Sequence, residues 1–445
     1  MWRLAAIVLA GIASSAAAQL HLPQVPQVPQ VPLQLPKIPS APDPSSAPSA
    51  VVRSAQDLLD PGNLLDLRGL AIRDRLRQHR DVLESDPAGE LIVRGEVVVL
   101  SPSATALDAA RASGFTIASE RPLGGGDRIA VLRAPAGVAT AEALAHLRSL
   151  DAKGQYDFNH VYLPAGGVDA SPAGSPVPHA QNAQPQAQTG RLRIGLIDGG
   201  VDLRHPALRT ADVRTSGCNA AQIPSVHGTA VASLLVGRTR GFGGAAQGAT
   251  LYAADVYCNS PTGGTAVRIV DALAWMANEQ VPVINLSLVG PANRMLEGVL
   301  RTLISRGHVI VAAVGNDGPA SPPLYPAAYP DVIGVTAVDV RKQVLPEAVR
   351  GPQVVFAAPG AEMAVAASGE KGFSRARGTS FAAPLVAGLL AIAYDMASGM
   401  QAGASRRAID ALIQEAVDLG PPGRDATYGY GLVGEGLRVD PVALR

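Results

Sequence analysis

Three short stretches of this 445-residue chain carry side chains able to do chemistry together. "LIDGGVDLRHP" closes an apolar run with Asp198 and two glycines, "HGTAVASLLVG" opens on His227, and "RGTSFAAPLVAG" sets Ser380 at the head of an apolar helical stretch. Each has a plain explanation alone: Asp-Gly is a common turn, a histidine before Gly-Thr can simply begin a helix, and Thr379 or Ser380 can simply cap one. Together they supply a nucleophile, a general base and an orienting carboxylate, the set required for acyl transfer through a covalent intermediate. A helix N-terminus adds unpaired N–H groups and partial positive charge beside the serine, which suits a developing oxyanion.

The elements that must position these groups are legible from residue 191 onward. Short continuous apolar runs ("RIGLID", "ATLYAADVY", "VPVINLSL", "HVIVAAVGN", "VIGVTAV", "VVFAAPG") alternate with helical stretches. This is the pattern of an α/β domain with a doubly wound, mostly parallel sheet buried on both faces. Ligands gather beyond the carboxyl ends of such strands, so Asp198, His227 and Ser380 are expected on one rim.

Upstream, residues 90–165 read as β-α-β-β-α-β, a small α+β domain of ferredoxin-like arrangement. Residues 51–89 contain "LLDLRGLAIRDRLRQHRDVLE", whose apolar spacing predicts an amphipathic helix from Leu64 to Glu84 with its arginines on a solvated face. Residues 166–190 are rich in Pro, Ala, Gln and Ser without periodicity, and read as an exposed linker open to nicking. Residues 19–50 include "PQVPQVPQVP", a polyproline-type spacer. Residues 1–18 carry one arginine, an apolar run too short to span a bilayer and Ala16-Ala17-Ala18, which predicts a signal peptide cleaved after Ala18.

Basic and acidic side chains balance at 37 each, which leaves no electrostatic footprint for nucleic acid. The two cysteines, Cys218 and Cys258, are expected to pair in an oxidising compartment, with two buried thiols as the plain alternative. No G-x-S-x-G elbow is present, which argues against a lipase or esterase.

Four motifs in one order, around Asp198, His227, Asn316 ("VAAVGNDGP") and Ser380, make the stretch from about Arg191 to Val439, within a peptidase domain expected over residues 191–445, resemble the subtilisin-like serine peptidases. The resemblance implies Ser380 as nucleophile, His227 as base and then acid, Asp198 as the group fixing the imidazole, and Asn316 as an oxyanion-hole donor. It implies that Ser287, Leu288 and Val289 of "INLSLVGP" pair with a polypeptide substrate as an added strand. The family often has glycine at Val289 and a small residue at Leu324, so both predict a shallow pocket for a small side chain before the cut. The intact histidine motif separates the chain from sedolisin-like peptidases. "GRTRGFGGAAQGA" offers few oxygen ligands where many members bind calcium, so no metal is expected there, and no cofactor. The family is often made with a ferredoxin-like prosegment, which gives residues 90–165 the expected role of a removable inhibitor. The expectation is therefore a secreted or periplasmic monomeric endopeptidase without stable membrane insertion, made as a zymogen and cut between about Gly166 and Arg191. A catalytically silent scaffold with the prosegment still docked is the alternative.

Overall fold

The structure, a computed structural model, describes residues 67–124, 126–173, 192–369, 372–396, 403–440 and 444. The expected signal peptide, its cleavage point, the spacer 19–50 and most of the expected linker lie outside the described residues.

The described residues open with helix α1 (Leu67–Gln78) and a short strand β1 (Leu83–Ser85). Next come β2 (Leu91–Leu100), α2 (Ala104–Ala112), β3 (Thr116–Gly124), β4 (Asp127–Arg133), α3 (Thr140–Leu150) and β5 (Gln155–His160). Strands β5, β2, β4 and β3 pair antiparallel in that spatial order. Residues one apart on β2 divide between two cores, as the period of two requires. Val97 and Val99 pack with Leu107, Ala110, Leu144 and Leu147 of α2 and α3, whereas Val98 joins the core of the large domain with Ile129 and Val131. A strand covered on both faces explains the unbroken "VVVL".

The expected helix Leu64–Glu84 ends early. After Gln78 the chain turns, and Leu83, fully buried, pairs opposite Val93. The signal missed is "SDPAGE": the Asp86 carboxylate accepts the Ala88 and Glu90 N–H groups and turns β1 back onto β2. The arginines also divide. Arg77 is exposed beside Asp74, but Arg68 is tucked between Glu90 and Asp317.

The large domain is built on seven parallel strands in the order β17-β16-β15-β13-β8-β12-β9. These are β8 (Arg193–Asp198), β9 (Val213–Gly217), β12 (Thr250–Asp255), β13 (Val283–Leu286), β15 (Val309–Ala313), β16 (Ile333–Val338) and β17 (Val354–Pro359). The loop screened for calcium ligands forms the small hairpin β10 (Arg238–Thr239) and β11 (Phe242–Gly243). Helices α4 (Val226–Val236), α5 (Ala266–Asn278), α6 (Arg294–Ser305), α7 (Thr379–Met396) and α8 (Ala404–Glu415) complete the domain with β14 (Leu288–Val289), β18 (Met363–Ala366) and β19 (Phe373–Arg377). Successive strands are laid to both sides of β8, so the sheet reverses its order there.

The small domain docks through helix N-termini. Asp157 on β5 accepts the Arg294 N–H of α6 at 2.7 Å, and Asn159 accepts the Val267 N–H of α5 at 3.3 Å. Both acceptors meet helix N–H groups without intrahelical partners, and the carboxylate gains from the helix dipole as well.

Candidate active site

Asp198 is the last residue of β8 and is 1% exposed. Both of its carboxylate oxygens lie 2.9 Å from His227 Nδ1, and Oδ1 also accepts the Gly199 N–H at 2.6 Å. His227 sits in the first turn of α4, where Ser225 caps the helix by accepting the Gly228 N–H. This bond to Nδ1 leaves Nε2 for chemistry, and Nε2 is buried without a hydrogen-bond partner.

Ser380 is the second residue of α7. Its Oγ donates to the Ser287 carbonyl at 3.2 Å rather than to His227. In return the Ser287 hydroxyl donates to the Ser380 carbonyl at 3.0 Å. That carbonyl needs an outside donor because Pro384, four residues on, has no N–H. The neighbouring Thr379 N–H donates to Asn316 Oδ1 at 3.1 Å, which turns the amide nitrogen of Asn316 toward the cleft. Gly378, at φ +134°, must lack a side chain, since a Cβ would come within 2.9 Å of both Asn316 Nδ2 and Gly166 Cα.

The cleft contains a segment of the chain itself, which residue patterns alone did not put there. Strand β6 (Leu163–Pro164) pairs antiparallel with β14, Leu163 opposite Val289 and Pro164 opposite Leu288. On its other side the Tyr162 N–H donates to the Gly264 carbonyl at 2.8 Å. The Ala165 N–H donates to Ser287 O at 3.3 Å. The Ala165 carbonyl oxygen accepts from the Ser380 N–H at 3.1 Å and from Asn316 Nδ2 at 2.7 Å. A carbonyl held by two converging donors at the nucleophilic serine has the geometry of an oxyanion hole.

Beyond it the chain continues as β7 (Gly167–Ala173), paired antiparallel with β19. The expected linker thus starts at least seven residues late. Composition misled because β7 needs only its backbone N–H and C=O groups to pair with β19. Pro172 stands within β7 opposite Ser374, where an edge strand tolerates proline.

Side chains around the segment differ in room. Tyr162 is fully buried, its hydroxyl donating to Pro291 O at 2.8 Å, and burial holds its pKa well above the ordinary tyrosine value. Beside Asn316 the space is filled: a Cβ on Gly315 would meet Leu324 Cδ1 at 2.5 Å and Val289 Cγ1 at 3.5 Å. Both residues are buried.

Asp255, at the end of β12 beside Asp198, has a raised pKa, chiefly from burial and then from repulsion by Asp198. It accepts the Tyr257 and Cys258 N–H groups at 2.9 Å. Cys218 and Cys258 are disulfide-bonded with Cα atoms 5.2 Å apart. With Asp255 they form the one grouping of three potential metal ligands among the described residues, and the disulfide removes both thiolates from it.

Residues 190–431 match the subtilase family. Subtilisin E from Bacillus subtilis is 34% identical over 217 residues, covering 46% of this chain, which spans only 56% of that relative's length. Subtilisin DY from Bacillus licheniformis is 32% identical over 279 residues, covering 59% of this chain and 96% of that protein. Among solved structures, fervidolysin from Fervidobacterium pennivorans, described as a keratinolytic enzyme related to subtilisin, superposes with TM-score 0.64 at 19% identity over 81% of this chain and 62% of its own. The epidermin leader peptide processing serine protease from Staphylococcus aureus superposes with TM-score 0.56 at 15% identity over 79% of this chain and 98% of its own. At these identities the two structures speak to the fold.

Proposed function

The chain belongs to the subtilase family, and from that premise we propose that it is an exported serine endopeptidase made as a zymogen that cuts itself between Ala165 and Gly166. The observation that carries this reading is the Ala165 carbonyl, held by the Ser380 N–H and Asn316 Nδ2 while the Ala165 N–H is bound to Ser287 O. The peptide is pinned on both sides of its reacting carbon. The proposed cut lies one bond before the window from about Gly166 to Arg191 expected from linker composition.

The chemistry follows from these positions. Ser380 Oγ turns from the Ser287 carbonyl toward His227 Nε2, gives up its proton there, and bonds to the Ala165 carbonyl carbon. Negative charge collects on the Ala165 oxygen, where the two donors already point. Asp198 keeps its charge and stabilises the imidazolium. The C–N bond to Gly166 then breaks as His227 returns the proton to the Gly166 nitrogen. Water, deprotonated in turn by His227, hydrolyses the Ser380 ester and leaves Ala165 with a free carboxylate. The segment ending at Ala165 becomes a product bound in the cleft, as expected of an inhibitory prosegment. Strand pairing with Leu288 and Val289, and filling of the floor by Leu324, fit polypeptide substrates with a small residue before the cut.

Export is part of the proposal. It rests on the apolar run ending at Ala18 and on the disulfide, which suits an oxidising compartment. Among the described residues no helix is long and apolar enough to cross a membrane.

Intact masses of purified wild type and Ser380→Ala test the whole reading. Wild type is expected to yield a chain beginning at Gly166, and Ser380→Ala to keep the Ala165–Gly166 bond. A wild type that stays joined there would instead favour the silent scaffold, for which the serine turned away from His227 is the supporting observation.

A further inference from the structure

We propose that Phe381 makes this enzyme selective for glycine immediately after the cut, so that its substrate class is a bond joining a small residue to glycine. The inference rests on the self-cleaving reading and concerns the leaving side of the same site.

Glycine at 166 is required by space rather than by backbone conformation, because Gly166 is absent from the positive-φ glycines. A Cβ there would lie 2.8 Å from Phe381 Cε2, 3.3 Å from Ser380 Cβ and 3.4 Å from the Arg377 carbonyl oxygen. The first distance is closer than real carbon contacts, and the other two leave no escape toward the nucleophile or the β19 backbone.

Phe381 has little freedom to yield. Its side chain is fully buried at the head of α7, and its ring lies 5.4 Å from the His227 ring, tilted by 50°. Swinging the phenyl away from an alanine methyl would press it into the core or against the imidazole that must protonate the leaving nitrogen. Overpacking of this kind is costly in a close-packed site. The nitrogen that leaves must therefore carry the smallest residue. The same wall keeps bulk away from His227 at the moment of proton return.

Self-processing of the full chain tests this, read by intact mass against time for wild type, Gly166→Ala, Gly166→Leu, and Gly166→Ala combined with Phe381→Leu. Leucine lacks the ring-edge atom that meets the added methyl. Wild type should be cut after Ala165, Gly166→Ala should be cut at least ~10-fold more slowly, and Gly166→Leu more slowly still. The double variant should recover most of the lost rate. Recovery also rules out misfolding as the cause of the slow single variant. Equal rates for wild type and Gly166→Ala overturn the proposal while leaving the endopeptidase reading intact. A double variant as slow as Gly166→Ala removes the role of Phe381. A wild type that is never cut removes both the proposal and the reading beneath it.

Discussion

At the scale of single residues, the proposed site depends on side chains that hold backbone atoms as much as on the three assigned to react. Asn316 has its carbonyl oxygen fixed by the Thr379 N–H, so its amide can point only one way, toward Ala165 O. Asn316→Ala should lower turnover by about 100- to 1000-fold with little change in thermal stability, measured on the processing rate. Ser287 tells a different story, because its hydroxyl satisfies the buried carbonyl that Pro384 leaves open. Ser287→Ala should cost about 1–3 kcal/mol of stability, seen as a lowered melting temperature. An unchanged melting curve would mean that another donor fills the gap. Leu324→Gly should open the space beside Gly315 and shift preference before the cut toward Phe or Leu, read from the cleavage profile of a peptide mixture. An unaltered profile would overturn the shallow-pocket reading.

At the scale of elements, two devices hold the cleft together. The disulfide ties the loop after β9 to the loop after β12, and the latter continues to Gly264, which pairs with Tyr162. The cysteines stand 40 positions apart, so removing the link as Cys218→Ser with Cys258→Ser should cost about 4 kcal/mol in the chain-entropy view. Chemical unfolding of the double variant measures this. The second device is the β1–β2 turn, where Asp86 accepts two backbone N–H groups and faces His160 Nε2 at 3.3 Å. Burial alone would raise the Asp86 pKa, but the hydrogen bonds and the His160 charge outweigh it and hold the value below the ordinary carboxylate range. A carboxylate depressed in the folded state adds stability above its unfolded pKa and loses it as the pH falls through the folded one. The small domain of wild type should therefore be steadier than that of Asp86→Asn near neutrality. The gap should close as the pH drops below about 4, followed by melting temperature against pH.

At the scale of the whole molecule, the proposal makes the uncut chain its own first substrate. Asp157 and Asn159 anchor β5 on the N-terminal ends of α6 and α5, and the next few residues run straight into the cleft as β6. The geometry of docking thus fixes which bond meets Ser380. Moving the anchor should move or abolish the cut: Asp157→Ala is expected to slow processing without altering the triad, which an intact-mass time course would register. Processing at the wild-type rate would show that β6 and β7 pairing suffices.

The proposed chemistry was legible in the chain because Ser380, His227, Asp198 and Asn316 each sit near the end of a strand or the start of a helix, where short local patterns mark them. The parallel sheet was legible for the same reason, since strands buried on both faces must be apolar throughout. The register of the segment in the cleft was not. Leu163, Pro164 and Ala165 bind through backbone N–H and C=O groups that every residue carries, so nothing in their identity announces the pairing with β14 or the carbonyl between Ser380 and Asn316. Only the docking of the small domain decides it, because contacts distant in sequence set the register. Phe381 follows the same rule: beside Ser380 it reads as one more apolar residue of a buried helix, and it becomes a wall only when the fold brings Gly166 against its ring.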